Sequence, residues 1–291
     1  MNKLAHLLRL TQEELKVEVY NYLQQKKMKP IYDDGFVYAE GNIPILLVAH
    51  MDTVFDEPPK RLFYNKKEDK IFNPNGGLGG DDRCGVYAIM KLLEKYSPYI
   101  LFTEDEEIGC IGAEKTVDKL PKPKVKYIIE FDRRGSNDCV FYDCGNEEFM
   151  DYIESFGFET DYGSCSDISI LGSEWDIASV NLSSGYYNEH TEEEYIIFHE
   201  LKNTIARAEK MLREYKKAKY FDYQEIKYTP KSYTGGFTFL DDMTDDEWLA
   251  WFDQFYVKYK ESAKNEEQGK KLILKKDDKS KGNNGDTNGY E

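Results

Sequence analysis

Three nearly unbroken apolar runs mark the chain. They are IPILLVAH ending at His50, YILFTED leading into Glu104–Glu107, and VKYIIEFD ending at Asp132. Short continuous runs of this kind predict strands buried on both faces. FVYAEGN precedes the first run and reads as another strand, joined to it by a Gly41-Asn42 turn. ASVNLSSG predicts a late strand, and CVFYDC a segment pairing beside the Asp132 strand. RLFYNKKEDKIF alternates like a surface hairpin, and NPNGGLGG forms a flexible approach to Asp81.

Between these runs the spacing turns helical. Residues 3–27 place leucines at helical intervals, giving an amphipathic first helix with Thr11 as a local cap. Residues 83–95 repeat apolar side chains at i, i+3, i+4 and i+7 directly after Asp81. GAEKTVDKL is a short helix, NEEFMDYIESFGF a helix capped by Asn146, and 196–216 a long helix. Buried strands alternating with helices predict an α/β fold. The expected form is a three-layer α/β/α sandwich with a mixed, largely parallel central sheet. His50, Glu106, Glu107, Asp132 and the segment around His190 fall at or just past predicted strand ends, the edge where open α/β sheets carry their ligand crevice.

The character changes after Lys219. We expect a first domain over 1–219, an aromatic extension over 220–263 and a disordered tail over 264–291. In the extension, Thr244 and Glu247 have capping-box spacing, and Trp248, Trp251, Phe252, Phe255 and Tyr259 share one helical face. That 244–259 helix is expected to dock on its own domain, with a protein partner as the alternative.

Composition narrows the function. With 291 residues, 40% hydrophobic and 32% charged, there is material for a sizeable core, and no apolar run approaches a membrane span. A net charge of −16 repels phosphate backbones, which argues against nucleic acid. The five cysteines form no CxxC pair, so free thiols in a reducing compartment, the cytoplasm, are expected.

The chemistry lies in five short segments: LLVAHMDTV, GGDDRCG, FTEDEEIG, IIEFDRRG and GYYNEHT. His50 and Asp52 are two apart in extended chain and share a side, a spacing that suits a histidine oriented by a carboxylate. Alone, the pair also fits a strand end. Asp81 and Asp82 suit either a helix cap or a metal site. Glu104 to Glu107 repel one another and need a compensating positive charge. They read as an exposed acidic loop, or as one metal-binding glutamate beside a free general base. Asp132 alone fits a turn, and His190 a surface loop. Together these residues supply the oxygen and nitrogen donors that two divalent cations take, with one carboxylate able to bridge. Arg83 reads as a charge partner for the acidic cluster. His6 and His199 have no such surroundings and read as structural.

The order H-x-D, D-D-R-x-G, D-E-E-x-G, F-D and E-H-T resembles the co-catalytic zinc peptidase clan, with its M20, M28 and M42 families. FTEDEEIG and GGDDRCG look most like its peptidase T and glutamyl-aminopeptidase-like branches. The resemblance covers about residues 30–215. It implies that His50 and Asp132 hold one metal, Glu107 and His190 the other, and that Asp81 bridges them. It further implies that Asp52 orients His50, that Glu106 is the general base, and that the Asp81–Asp82 peptide is cis. Zinc is the implied metal, with cobalt or manganese as alternatives. The lid domain of M20 and the inserted domain of M42 have no room here, which makes a minimal catalytic domain of M28-like aminopeptidase type the expectation. The implied substrate is a peptide or small amide. An amidase or deacylase of small N-acyl compounds, and a non-catalytic binding protein on the same fold, are the other readings. Tyr186 or Tyr187 is a candidate for holding an oxyanion, and Ser166 and Asp167 for supporting the pocket.

Overall fold

The computed structural model describes residues 1–163 and 165–226. The expected 244–259 helix and 264–291 tail lie outside them. The described chain forms one compact unit, Met1–Ile226.

The N-terminal leucines form two helices, α1 (Asn2–Leu7) and α2 (Gln12–Gln25), where one was expected. Thr11 makes the break. Its hydroxyl accepts from Glu14 N at 3.2 Å, and its own N–H donates to the Glu14 carboxylate at 3.0 Å. This reciprocal capping box starts a new helix rather than continuing the old one.

The following elements build the sheet: β1 (Ile31–Asp33), β2 (Phe36–Ala39), β3 (Ile43–His50), the hairpin strands β4 (Phe63–Asn65) and β5 (Lys70–Phe72), α3 (Gly80–Leu92), β6 (Pro98–Thr103) and α4 (Ile111–Lys119). Then come β7 (Ile128–Arg133), β8 (Asp138–Val140), α5 (Glu147–Glu154), β9 (Glu159–Thr160), α6 (Asp167–Trp175), β10 (Ser179–Ser183), β11 (Tyr186–Tyr187), β12 (Tyr195–Ile197) and α7 (Phe198–Arg213). Eight strands join in the order β1-β2-β6-β3-β7-β10-β8-β9. The centre, β6-β3-β7-β10, is parallel, while β1, β2 and β8 pair antiparallel to their inner neighbours. This is the expected α/β fold with a mixed, largely parallel sheet.

Strand β3 shows why its sequence is unbroken apolar. Ile45, Leu47 and Ala49 enter one core with Leu15, Val19, Met90 and Met211. Leu46 and Val48 enter the other with Ala113, Ile168 and Leu171. Helices therefore cover both faces of the sheet. Each fully buried aliphatic side chain of this kind contributes about 1.5–3 kcal/mol.

Two expected pairings differ. The Gly41-Asn42 turn does not fold β2 onto β3, because β6 lies between them. The N–H groups of Asn42 and Ile43 both donate to Ser97 O, so the turn hands the chain to the start of β6. Similarly, β8 pairs with β10 rather than β7, because β10 occupies that edge of β7 through Val180↔Ile129. Helix α6 was not expected at all. The 61–72 hairpin forms, but it belongs to a second sheet, β11-β12-β5-β4, that joins it to the segment after His190. The chain also stays packed past Lys219: Phe221 is buried, and its backbone bonds to Lys126 and Ala178.

Candidate metal centre

Register puts the chemistry at one sheet edge. β3 and β6 pair His50 with Thr103, and β3 and β7 pair Val48 with Glu130, so Asp132 lies two residues farther along, beside His50. From the other side, the 73–80 loop delivers Asp81 and the β11–β12 loop delivers His190. Two triads result, His50/Asp81/Asp132 and Asp81/Glu107/His190, with the ligand atoms of each within 4.8 Å of one another. His50 Nε2 lies 3.1 Å from Asp81 Oδ1 and 3.4 Å from Asp132 Oδ1. His190 Nε2 lies 3.2 Å from Asp81 Oδ2 and 2.8 Å from Glu107 Oε2. Asp81 thus turns one oxygen to each triad.

Around the triads, hydrogen bonds fix each side chain. His50 Nδ1 faces Asp52 Oδ1 at 3.2 Å, an arrangement that leaves Nε2 free as a lone-pair donor. The same Asp52 carboxylate accepts the N–H groups of Glu106 and Glu107 at 3.1 and 3.0 Å, tying the acidic turn to the end of β3. Asn181 accepts from Asp132 N and donates to Asp132 O, both at 2.8 Å. Ser166 and Tyr186 donate to the two Asp132 oxygens at 3.0 and 3.1 Å. Glu194 is buried and accepts from the N–H groups of Leu78, Gly79 and Asp81. The peptide between Asp81 and Asp82 is cis. Asp82 takes the capping role, its carboxylate accepting from Gly85 N at 2.8 Å. A Cβ at Gly85 would lie 2.3 Å from that carboxylate, which accounts for the glycine.

The four consecutive carboxylates have four different fates. Glu104 pairs with buried Lys16. Asp105 accepts from Gln12 Nε2 at 3.1 Å. Glu107 meets His190. Glu106 stands outside both triads, and among the described residues its Oε1 takes only a thiol contact, from Cys110 at 3.7 Å. Burial, with Asp132, Asp167 and Asp81 nearby, pushes the Glu106 carboxyl up to about 9. Burial and Asp81 push Glu107 to about 7. The Asp81 contact raises His190 to about 9. Although burial opposes it, hydrogen bonding to both histidines holds Asp81 below the usual range. Burial also lifts Asp132.

Such a concentration of buried carboxylates calls for cations, and the donor set fits them. Each triad offers imidazole and carboxylate donors of the kind borderline and hard divalent ions take. Glu107 Oε1 is buried and has no hydrogen-bond partner among the described residues, a carboxylate oxygen left over for a ligand.

Two expectations are corrected. Arg83 sends its hydrogen bonds to the carbonyls of Met51 and Leu10 rather than to carboxylates, bracing the α1–α2 turn against the end of β3, and Asp52 and Asp82 act on its charge only through space. Tyr187 turns to Glu200 at 2.6 Å, and Tyr186 is committed to Asp132, so neither hydroxyl is free to hold an oxyanion. His6 and His199 belong to neither triad, as expected; both are exposed and pair with Glu18 and Asp69. Glu194, Asn181 and Glu130, a buried carboxylate 2.5 Å from the Ser166 hydroxyl, were missed. Glu194 had a faint signal, because the glycine-rich 73–80 loop brings several backbone N–H groups that need an acceptor.

No protein-family model matches the sequence, and no curated protein matches it either. Solved structures do. Aminopeptidase PepT from Bacillus cereus superposes with a TM-score of 0.60 at 16% identity, over 74% of this chain and 97% of that one. A tripeptidase from Staphylococcus aureus gives 0.61 at 14% identity, over 74% and 97%. An aminopeptidase from the archaeon Desulfurococcus kamchatkensis gives 0.57 at 15% identity, over 73% and 94%. The chain therefore shares the fold of these aminopeptidases.

Proposed function

We propose that the protein is a dinuclear metal-dependent aminopeptidase. The observation that carries this reading is the pair of triads sharing Asp81, with Glu106 beside them and outside both. His50 and Asp132 would hold one divalent cation and Glu107 and His190 the other, with Asp81 contributing an oxygen to each. Zinc suits this donor set, and cobalt or manganese would also fit. Such a pair polarises a carbonyl and makes water nucleophilic near neutral pH.

The chain's own groups would do the rest. With two cations bound, their charge would lower the raised Glu106 carboxyl, so that it takes the proton of the attacking water on a carboxylate oxygen and returns it to the departing amine. Asp52 holds both the ring of His50 and the backbone of Glu106, so orientation of ligand and base is linked. A cavity of about 490 Å³ opens beside Asp52 and Glu107, between Leu8, Phe55, Pro58 and Ile108, with Asp56 and Asp105 also lining it. Its mixed apolar and acidic walls suit a substrate with a side chain and a free ammonium group, which favours aminopeptidase over deacylase. A reducing compartment such as the cytoplasm would keep the five cysteines as thiols. Among the described residues, no helix is long and apolar enough to cross a membrane.

Glu106→Gln tests this reading. Turnover of aminoacyl substrates should fall roughly 10²–10⁴-fold, the share a general base supplies, while two metal equivalents stay bound. Retained turnover, or hydrolysis confined to N-acyl compounds, would contradict it.

A further inference from the structure

Beside Glu106 sits a feature that the hydrolytic reading does not use. The sulfurs of Cys110 and Cys165 lie 3.9 Å apart. Cys110 is buried at the N-cap of α4 and also donates its thiol to Glu106 Oε1 at 3.7 Å. Cys165 is exposed, in the loop between β9 and α6, and directly precedes Ser166 at the N-cap of α6. Both helices pack over the same face of the sheet, where Cys110 and Ala113 share a core with Ile168 and Leu171. A disulfide needs its sulfurs at about 2.05 Å, so the pair must close by roughly 2 Å. Cys165 can make that approach because it belongs to neither helix nor strand.

We propose that Cys110 and Cys165 are a peroxide-oxidisable dithiol that reversibly disables the metal centre. The exposed sulfur reacts first. Cys165, as thiolate, attacks one oxygen of hydrogen peroxide. The S–O bond forms, the O–O bond breaks, and hydroxide leaves to become water. The Cys110 sulfur then attacks the Cys165 sulfur. The S–S bond forms, the S–O bond breaks, and a second water leaves with the Cys110 proton, which Glu106 Oε1 is placed to relay. The two thiols lose two electrons, and the peroxide is reduced to water. A small dithiol reverses the step by exchange.

The cross-link acts on the centre from two sides. It removes the S–H that Cys110 offers to Glu106. It also pulls on the segment whose Ser166 hydroxyl holds Asp132 at 3.0 Å. The dithiol itself stands on the sulfur geometry, while its effect on turnover rests on the proposed aminopeptidase.

The test uses the full-length, metal-loaded protein, treated with hydrogen peroxide and quenched with N-ethylmaleimide. Peptide mapping should find Cys110 joined to Cys165, and no such peptide in Cys165→Ala. Hydrolysis of aminoacyl substrates should fall roughly tenfold, a part of what a general base contributes, and return with dithiothreitol. Cys165→Ala should begin at the wild-type rate and keep it through the same treatment. The proposal is overturned if peroxide consumes thiols without producing that peptide, or if the cross-link forms and turnover is unchanged. Wild-type protein that hydrolyses no aminoacyl substrate would defeat the aminopeptidase reading instead, and the mapping would still decide the dithiol.

Discussion

The two triads that share Asp81 are built from different material. His50 and Asp132 sit at the ends of adjacent central strands, and the His50 side chain is 0% exposed. Asp52, Asn181, Ser166 and Tyr186 surround them with hydrogen bonds. His190 and Glu107 come from loops, the His190 side chain is 52% exposed, and its backbone sits at φ 62°. A sheet end fixes geometry through neighbouring strands, while a loop fixes it through a few local bonds. The buried half is therefore pre-organised and the open half adaptable. That division suits a site that keeps one cation firmly and admits substrate past the other.

Removing the shared carboxylate should have the largest effect. Asp81→Ala takes an oxygen from both triads, so hydrolysis should fall to background and metal analysis should find neither ion retained at full occupancy. Retention of one full equivalent would mean that the halves are independent. The two histidines should then diverge. His50→Ala leaves buried carboxylates without their cationic partner, a loss of about 3–5 kcal/mol for a broken buried pair, visible as a lower thermal midpoint in metal-free protein. His190→Ala, at an exposed loop, should stay within about 1 kcal/mol of the parent. Equal destabilisation would remove the distinction between the halves.

Asn181→Ala sharpens the comparison. It deletes the side chain that grips the Asp132 backbone and should weaken the tighter metal equivalent by about 10–100-fold, leaving the weaker one alone. The smallest effect is expected from Tyr187→Phe. Its hydroxyl serves Glu200, and activity should change less than about threefold, in line with a surface change of about 0.5 kcal/mol. A hundredfold loss of turnover would return this tyrosine to the reaction.

Much of this arrangement was legible in the sequence, for a local reason. The strands ending at His50, Thr103 and Asp132 are unbroken apolar runs, and the residues that close them come next in the chain. Sequence adjacency thus became spatial adjacency wherever parallel strands end at one edge. What escaped the sequence depends on register between distant segments. The insertion of β6 between β2 and β3 follows from Ser97 O taking two N–H groups at the start of β3. Glu194 looks like one of three ordinary surface glutamates after His190. Only the second sheet, which draws β12 against β5, brings it under the 73–80 loop. Ser166 and Asp167 were suspected near the pocket, but helix α6, which starts there, was not, because its apolar residues pack on α4, a helix that starts more than fifty residues earlier in the chain. The fate of the four consecutive carboxylates was likewise invisible, since Gln12 and Lys16, both on α2, and His190 arrive from two distant regions.

Calorimetric titration of metal-free protein with zinc tests the central claim most directly. Two equivalents should bind per chain, the first more tightly, and His190→Ala should keep the tight event and lose the other. A single event in the parent, or loss of the tight event in His190→Ala, would contradict a centre of two unequal halves sharing Asp81.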